Sequence, residues 1–351
     1  MTEGLRLQGV AKDYGAARVL HPLDLEAGPR EFLTILGPSG SGKTTILRLV
    51  GGFTEVSAGR ITIDGEDVTD LPINRRPCHT VFQDYALFPH MTVAENVGYG
   101  LMVRGTGRDE IRRRVAAVLD IVGLATFAER RPSQLSGGQR QRTALARAIV
   151  LEPKLVLLDE PLAALDAELR RQMQGFLKDL QRRLRTCFLF VTHDQEEAIT
   201  MADRIVVMRH GLIEQVGTPR EIYWRPRTAF VAGFFGDNNL IPVTLAGHDG
   251  DAVLVDGPLG RFRLPGPAPA DNLLLALRPE SLEIGEGDPA ISGEVADLVF
   301  TGAVSTLLVA VPGLATPLRV QLKSRPEGEG FEPGTRVHLR FAPADAALVP
   351  A

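Results

Sequence analysis

The run Gly37-Pro38-Ser39-Gly40-Ser41-Gly42-Lys43-Thr44-Thr45 constrains this chain more than any other nine residues in it. It follows a short apolar stretch, Glu31 to Leu36, and precedes Thr44 to Val50, whose apolar spacing is helical. A chain passing from strand to helix through three glycines can wrap its backbone closely, so successive N–H groups point inward at an anion. The partly positive start of the helix faces the same point. The run matches G-x-x-x-x-G-K-[ST], in which the lysine charges the β- and γ-phosphate site and the hydroxyl after it ligates Mg²⁺. Here those residues are Lys43 and Thr44.

Further apolar runs, Thr80 to Phe82, Leu155 to Leu158, Phe188 to Val191 and Arg204 to Met208, alternate with helical patterns at Asp109–Val122, Gly138–Leu151, Ala167–Leu184 and Gln195–Ala202. Buried strands alternating with helices predict an α/β fold with a largely parallel sheet. The Leu155 run ends in Asp159-Glu160, at the strand end where open α/β sheets place ligands. An acid pair there also reads as a helix cap. Beside the phosphate loop it reads as chemistry: Asp159 for the metal, and Glu160, free of it, to polarise an attacking water.

Helical periodicity stops near Gly233 to Asn239. Beyond it lie short strands, Ala252–Val255, Leu273–Leu277, Thr306–Val309, Leu318–Leu322 and Arg336–Arg340, between Gly, Pro and Asp turns. That spacing predicts a small all-β barrel or sandwich. The predicted domains are 1–236 and 237–351, in line with about two domains for 351 residues. With 39 Lys+Arg against 43 Asp+Glu, the balance of -4 does not mark a general nucleic-acid binder. Two cysteines are too few for a disulfide scaffold. The start, Met1 to Gly4, does not read as a leader. Leu298 to Leu318 is uncharged and long enough to span a bilayer, but its Thr, Gly, Ser and Pro residues fit a strand, a Pro-Gly turn and a second strand better.

Between the phosphate loop and the acid pair lies Leu135-Ser136-Gly137-Gly138-Gln139, followed by Arg140-Gln141-Arg142. In that order the set resembles the signature of ATP-binding-cassette ATPases. The resemblance implies an α/β P-loop NTPase, a RecA-like core with a helical subdomain at about 86–150, and ATP and Mg²⁺ as cofactors. It implies that Ser136, Gly137, Gly138 and Gln139 complete the site of a second copy of the subunit, two cassettes closing head-to-tail over two nucleotides. Tyr14 matches the aromatic that stacks on adenine. Gln83, in Val81-Phe-Gln-Asp-Tyr85, matches the glutamine that senses Mg²⁺ and water, so Thr44, Gln83 and Asp159 form the implied metal set. Pro161 to Asp166 resembles the D-loop, with Ala163 where many relatives carry Ser. His193, in Val191-Thr-His-Asp194, matches the switch histidine; a lone histidine at a strand end is otherwise a structural or surface residue.

Phe88, Pro89 and Met91 fall where the family forms the groove for a permease coupling helix, although core packing of Phe88 explains it as well. The arginines 108, 112, 113 and 114 read as a solvated helix face. Leu277-Arg278-Pro279-Glu280 is similar to the L-R-P-E segment of the transport-associated OB-like domain, here all-β. Such a tail implies an importer ATPase at the cytoplasmic face of the plasma membrane. Its partners would be integral permease subunits and, through them, a solute-binding protein, with no nucleic acid. Val81 to Val97 and Phe230 to Asn239 look most like spermidine/putrescine-type ATPases; ferric iron, sulfate, phosphonate and sugar relatives share most of these strings. A soluble ABC ATPase outside transport is the other class considered, and the single uninterrupted cassette with its OB-like tail argues against it.

Overall fold

The computed structural model describes residues 4–268, 270, 272–286, 291–326 and 330–351. The leader reading at Met1–Glu3 lies outside the described residues. Two compact units divide after Pro219.

The first unit opens with β1 (Leu5–Tyr14) and β2 (Ala17–Ala27) and continues through β3 (Phe32–Leu36), α1 (Lys43–Gly51), β4 (Ala58–Ile63), β5 (Glu66–Asp67) and β6 (Cys78–Val81). Three helices follow, α2 (Val93–Val103), α3 (Arg108–Ile121) and α4 (Gly137–Ile149). It closes with β7 (Leu155–Asp159), α5 (Ala167–Leu184), β8 (Cys187–Thr192), α6 (Gln195–Met201), β9 (Arg204–Arg209) and β10 (Leu212–Gly217). One sheet runs β10-β9-β3-β8-β7-β6, parallel except for β10. A second, antiparallel sheet runs β2-β1-β4-β5. The sequence reading anticipates the parallel strands and the helices α1 and α3 to α6. It does not anticipate β1, β2 or α2.

Every residue of β3 and β8 is buried, because both faces of this sheet are covered and no polar alternation is needed. The period of two survives in where the side chains go. Phe32, Val156, Leu158, Phe188 and Phe190 pack with α2 to α5. Leu33, Ile35, Leu155, Leu157, Leu189 and Val191 pack with α1 and the antiparallel sheet. The parallel strands β3, β8, β7 and β6 are neighbours, so the loops that leave their carboxyl ends share one edge of the sheet. That edge is where open α/β folds bind ligands.

The second unit, Arg220–Ala351, begins within α7 (Pro219–Trp224) and includes α8 (Ala229–Phe234). These helices group with the tail, seventeen residues before the boundary expected from the loss of helical periodicity. Arg278 is the physical reason: its guanidinium, buried in the second unit, donates to the carbonyls of Tyr223 and Phe235 and stacks on the Tyr223 ring. The remaining strands are β11 (Asn239–Asp249), β12 (Ala252–Gly257), β13 (Gly260–Pro265), β14 (Asn272–Leu277), β15 (Glu283–Ile284), β16 (Ile291–Phe300), β17 (Val304–Ala310), β18 (Leu318–Lys323), β19 (Arg336–Arg340) and β20 (Ala346–Pro350). They form two antiparallel sheets, β13-β12-β11-β14-β20 and β15-β19-β16-β17-β18, over one shared core. Strict alternation in β19, with Val337 and Leu339 inward and three polar residues outward, is the pattern of a sheet wet on one face. Leu298 to Leu318 is the end of β16, then β17, the turn at Pro312-Gly313 and the first residue of β18, the strand–turn–strand expected rather than a helix.

Candidate nucleotide site

The loop 37–42 leaves β3 and enters α1 directly. Gly42 caps the helix in the left-handed region, at φ 99°, and a Cβ there would lie 2.4 Å from Leu20 Cδ2. Glycine is therefore required by both torsion and space. No side chain caps α1, which leaves its first N–H groups to the loop. Pro38, Ser39 and Gly40 form the exposed tip, while Gly37, Ser41 and Gly42 are buried and Thr45 is half-buried. Ser41 Oγ is buried with no hydrogen-bond partner among the described residues. Lys43 is only 6% exposed, and its Nζ donates to Gly37 O and Pro38 O at 2.9 Å. Burial pulls this ammonium below the usual lysine range, opposed by the charges of Glu160 and Asp159.

Asp159, at the end of β7, accepts a hydrogen bond from Thr44 Oγ1 at 3.3 Å. Burial raises its pKa, against the Thr44 bond, which lowers it. The next residue, Glu160, is in the left-handed region at φ 45°, and its N–H donates to Val191 O on β8. Such a torsion in a non-glycine residue is strained and is held by its surroundings. Glu160 Oε2 lies 3.1 Å from His193 Nδ1, one residue beyond β8. The structure thus brings the phosphate loop, Asp159, Glu160 and His193 together.

Gln83 is exposed, just past β6. Tyr85 and Ala86 after it are left-handed, at φ 63° and 44°. Arg147 of α4 donates to both of their carbonyls, at 2.8 and 2.6 Å, which holds that turn. The sequence reading missed this arginine; nothing in its spacing marks it. Tyr14 ends β1, half-exposed, with Lys12 Nζ 4.8 Å above its ring. Ser136 is the N-cap of α4. Its Oγ accepts from Gln139 N–H, and Gln139 Oε1 accepts from Ser136 N–H, with Gly137 and Gly138 in the first turn. The motif's first and last polar residues are therefore a capping box, which the S-x-x-Q spacing could have revealed.

Phe88 is half-buried, 4.7 Å from the Tyr99 ring and under the Arg147 guanidinium. Asn96, fully buried, binds the Phe88 N–H and carbonyl with its amide, fixing this segment. Above it lies an apolar groove of about 640 Å³ lined by Met91, Ala94, Tyr99, Met102 and Ile111 among others. Arg113 pairs with Glu110 one turn earlier on an exposed face, while Arg114 turns in to Val150 O.

Among the described residues no helix is long and apolar enough to cross a membrane. No cluster of three or more His, Cys, Asp or Glu there could hold a metal.

Residues 20–163 match the ABC transporter family, and 275–349 match the TOBE domain. The chain is 45% identical to the spermidine/putrescine import ATP-binding protein PotA of Frankia alni over 99% of its own length and 79% of that protein. It is 44% identical to the protein of that name from Roseobacter denitrificans, over 98% and 97%. With that of Escherichia coli K12 the identity is 52% over 80% and 76%. Among solved structures, it resembles cbiO1 from Clostridium perfringens, part of the ABC transporter complex cbiONQ, with TM-score 0.59, 29% identity and coverage of 63% and 91%. It also resembles the dimeric post-hydrolysis state of the ATP-binding cassette MJ0796 bound to ADP and Pi, with TM-score 0.54, 32% identity and coverage of 62% and 99%. With its phosphate loop and acid pair in place, the chain belongs to the ATP-binding subunits of ABC transporters, and its chemistry is ATP hydrolysis.

Proposed function

We propose that two copies of this chain clamp two ATP molecules and drive polyamine import through a membrane permease. The observation that carries the reading is the Glu160–His193 contact beside the Thr44–Asp159 pair, at the edge of the sheet where the phosphate loop opens. Lys43 and the N–H groups of the loop Gly37 to Thr45, Pro38 excepted because it has none, bind the phosphates, and Tyr14 stacks on adenine. Glu160 accepts the proton of the attacking water, and His193 holds that carboxylate in place. Gln83 reports on the γ-phosphate site. Ser136 to Gln139 present a second helix start to the partner copy's nucleotide.

The donor set fits Mg²⁺. The Thr44 hydroxyl and Asp159 carboxylate are adjacent hard oxygens, and a metal that keeps several waters and binds phosphate needs few protein ligands. When bound, the ion would neutralise charge on the transferring phosphoryl group. Thr44, Asp159 and Gln83 would hold it.

The groove beside Phe88 is proposed to receive the permease, which places the subunit at the cytoplasmic face of the membrane. The polyamine assignment rests on the names of the relatives, since this subunit does not touch the solute. The sequence boundary at 236/237 is proposed to move to about 219: the cassette then spans 1–219 with the helical subdomain at about 86–150, and the helices at 219–234 belong with the β tail, which is proposed to be regulatory. In a steady-state ATPase assay, Glu160→Gln should lower turnover at least about 100-fold, the scale of a lost general base. The variant should still bind ATP and elute as a dimer with it. Unchanged turnover refutes the role of Glu160.

A further inference from the structure

His193 sits between two residues that are each tied down. Thr192 Oγ1 donates to Glu197 Oε2 at 2.6 Å and accepts from the Asp194 N–H at 3.0 Å. Asp194 caps α6 with Oδ1, while Oδ2 accepts from Arg170 Nη1 at 3.3 Å. The other arm of that guanidinium, Nη2, donates to Leu165 O at 3.1 Å. Leu165 lies in the turn 161–166, which is fixed in its own right to Glu160: the Ala163 N–H donates to Glu160 O, and the Leu165 N–H to Leu162 O, both at 3.2 Å. The contacts close a ring that runs from Glu160 through the turn, Arg170, Asp194 and Thr192 to His193, and back to Glu160. Arg170 Nε is buried without a hydrogen bond, 3.8 Å from Glu197 Oε1.

We infer that Arg170 is a positioning residue: its planar fork fixes the separation between the 161–166 turn and Asp194, and so sets where His193 stands against Glu160. A rigid guanidinium can hold both arms at once, whereas an ammonium on a flexible stem satisfies one direction at a time. The competing explanation is that Arg170 only balances Glu197, which is 3% exposed and needs a counter-charge. The inference rests on Glu160 and His193 serving hydrolysis.

The Arg170→Met/Glu197→Gln double variant separates these roles. It removes both charges together and keeps an amide oxygen to accept from Thr192. ATP affinity by titration with a fluorescent ATP analogue, thermal midpoint, kcat and KM are measured on the full chain, with His193→Ala alongside. A positioning role predicts a folded variant whose ATP affinity is within about threefold of the parent and whose kcat falls about 10- to 100-fold, the cost of displacing a reacting group by roughly 1 Å. A counter-ion role predicts kcat within about threefold of the parent, which overturns the inference. Should the double variant not fold, Arg170→Lys keeps the charge but not the fork. The same split is expected there, and full kcat overturns the inference. Failure of both to fold, or a parallel loss of affinity and kcat, assigns Arg170 to stability and overturns it as well. Full turnover in His193→Ala would instead overturn the reading of the site.

Discussion

Arg76 is 4% exposed and donates to four main-chain carbonyls: Leu49 at 2.7 Å, and Val50, Leu71 and Thr69 at 2.9 Å each. Leu49 and Val50 lie in the last turn of α1, where carbonyls run out of the usual intrahelical donors; Leu49 O also accepts from the Gly52 N–H at 3.2 Å. One side chain therefore finishes the helix that carries the phosphate loop and ties it to the segment after β5. Arg76→Ala removes charge-assisted bonds to two buried carbonyls, at roughly 1.5 kcal/mol each, and to two half-buried ones that water reaches, at roughly 0.5 each. Relief of the guanidinium's own desolvation, which pulls its pKa down, returns about 1 kcal/mol. The net loss is about 3 kcal/mol. Urea unfolding followed by helical circular dichroism reads the first unit, where the long helices lie. With a slope of about 2.5 kcal/mol/M, the midpoint should fall by about 1.2 M. Trp224 is the only tryptophan and belongs to the second unit, so its fluorescence supplies an internal control that should move little. Arg76→Lys should recover less than half of the loss, because one ammonium cannot span four carbonyls. A shift under about 0.3 M for the alanine variant, or full recovery by lysine, would refute the reasoning.

His79 on β6 is held neutral, its pKa pushed down to about 4 by burial and then by the Arg104 charge. Between that value and about 6.5 the unfolded chain binds a proton that the folded chain does not, so stability rises with pH across this window. His79→Gln should remove roughly 2–3 kcal/mol of the pH dependence, after a discount for partial solvent access; urea midpoints at pH 4.5 and 7 that stay as far apart as in the parent would contradict it. A fragment ending at 219 should stay soluble and bind nucleotide. One ending at 236 keeps Val231, Ala232 and Phe235, which are fully buried in the complete chain, without the strands α8 packs on, and should aggregate. Equal solubility of the two by light scattering would show that α7 and α8 do not depend on the β tail.

The catalytic edge was legible because buried strands read as unbroken apolar runs: Leu155 to Leu158 and Phe188 to Val191 point straight at Asp159 and His193. The antiparallel sheet was not. Leu5 and Leu7 alternate as a strand should, but bulges shift the β1–β2 register three times between Leu7 and Asp13, breaking the period. Helix α2 was hidden by Gly98 and Gly100, which read as loop. A Cβ on either would come within 3.0 Å of the Ile111 or Leu151 side chain, so the two glycines leave room for those side chains to pack against α2. The ring through Arg170 joins residues up to 34 positions apart, from Glu160 to Asp194, and no local period could announce it.

A pleated ribbon sends neighbouring side chains to opposite sides, which would turn consecutive acids away from each other. The left-handed kink at Glu160 cancels that rule for a single residue. Both carboxylates can then act on the same ammonium, Lys43, while one grips a hydroxyl and the other an imidazole. Two unlike duties are thereby separated by only one peptide bond.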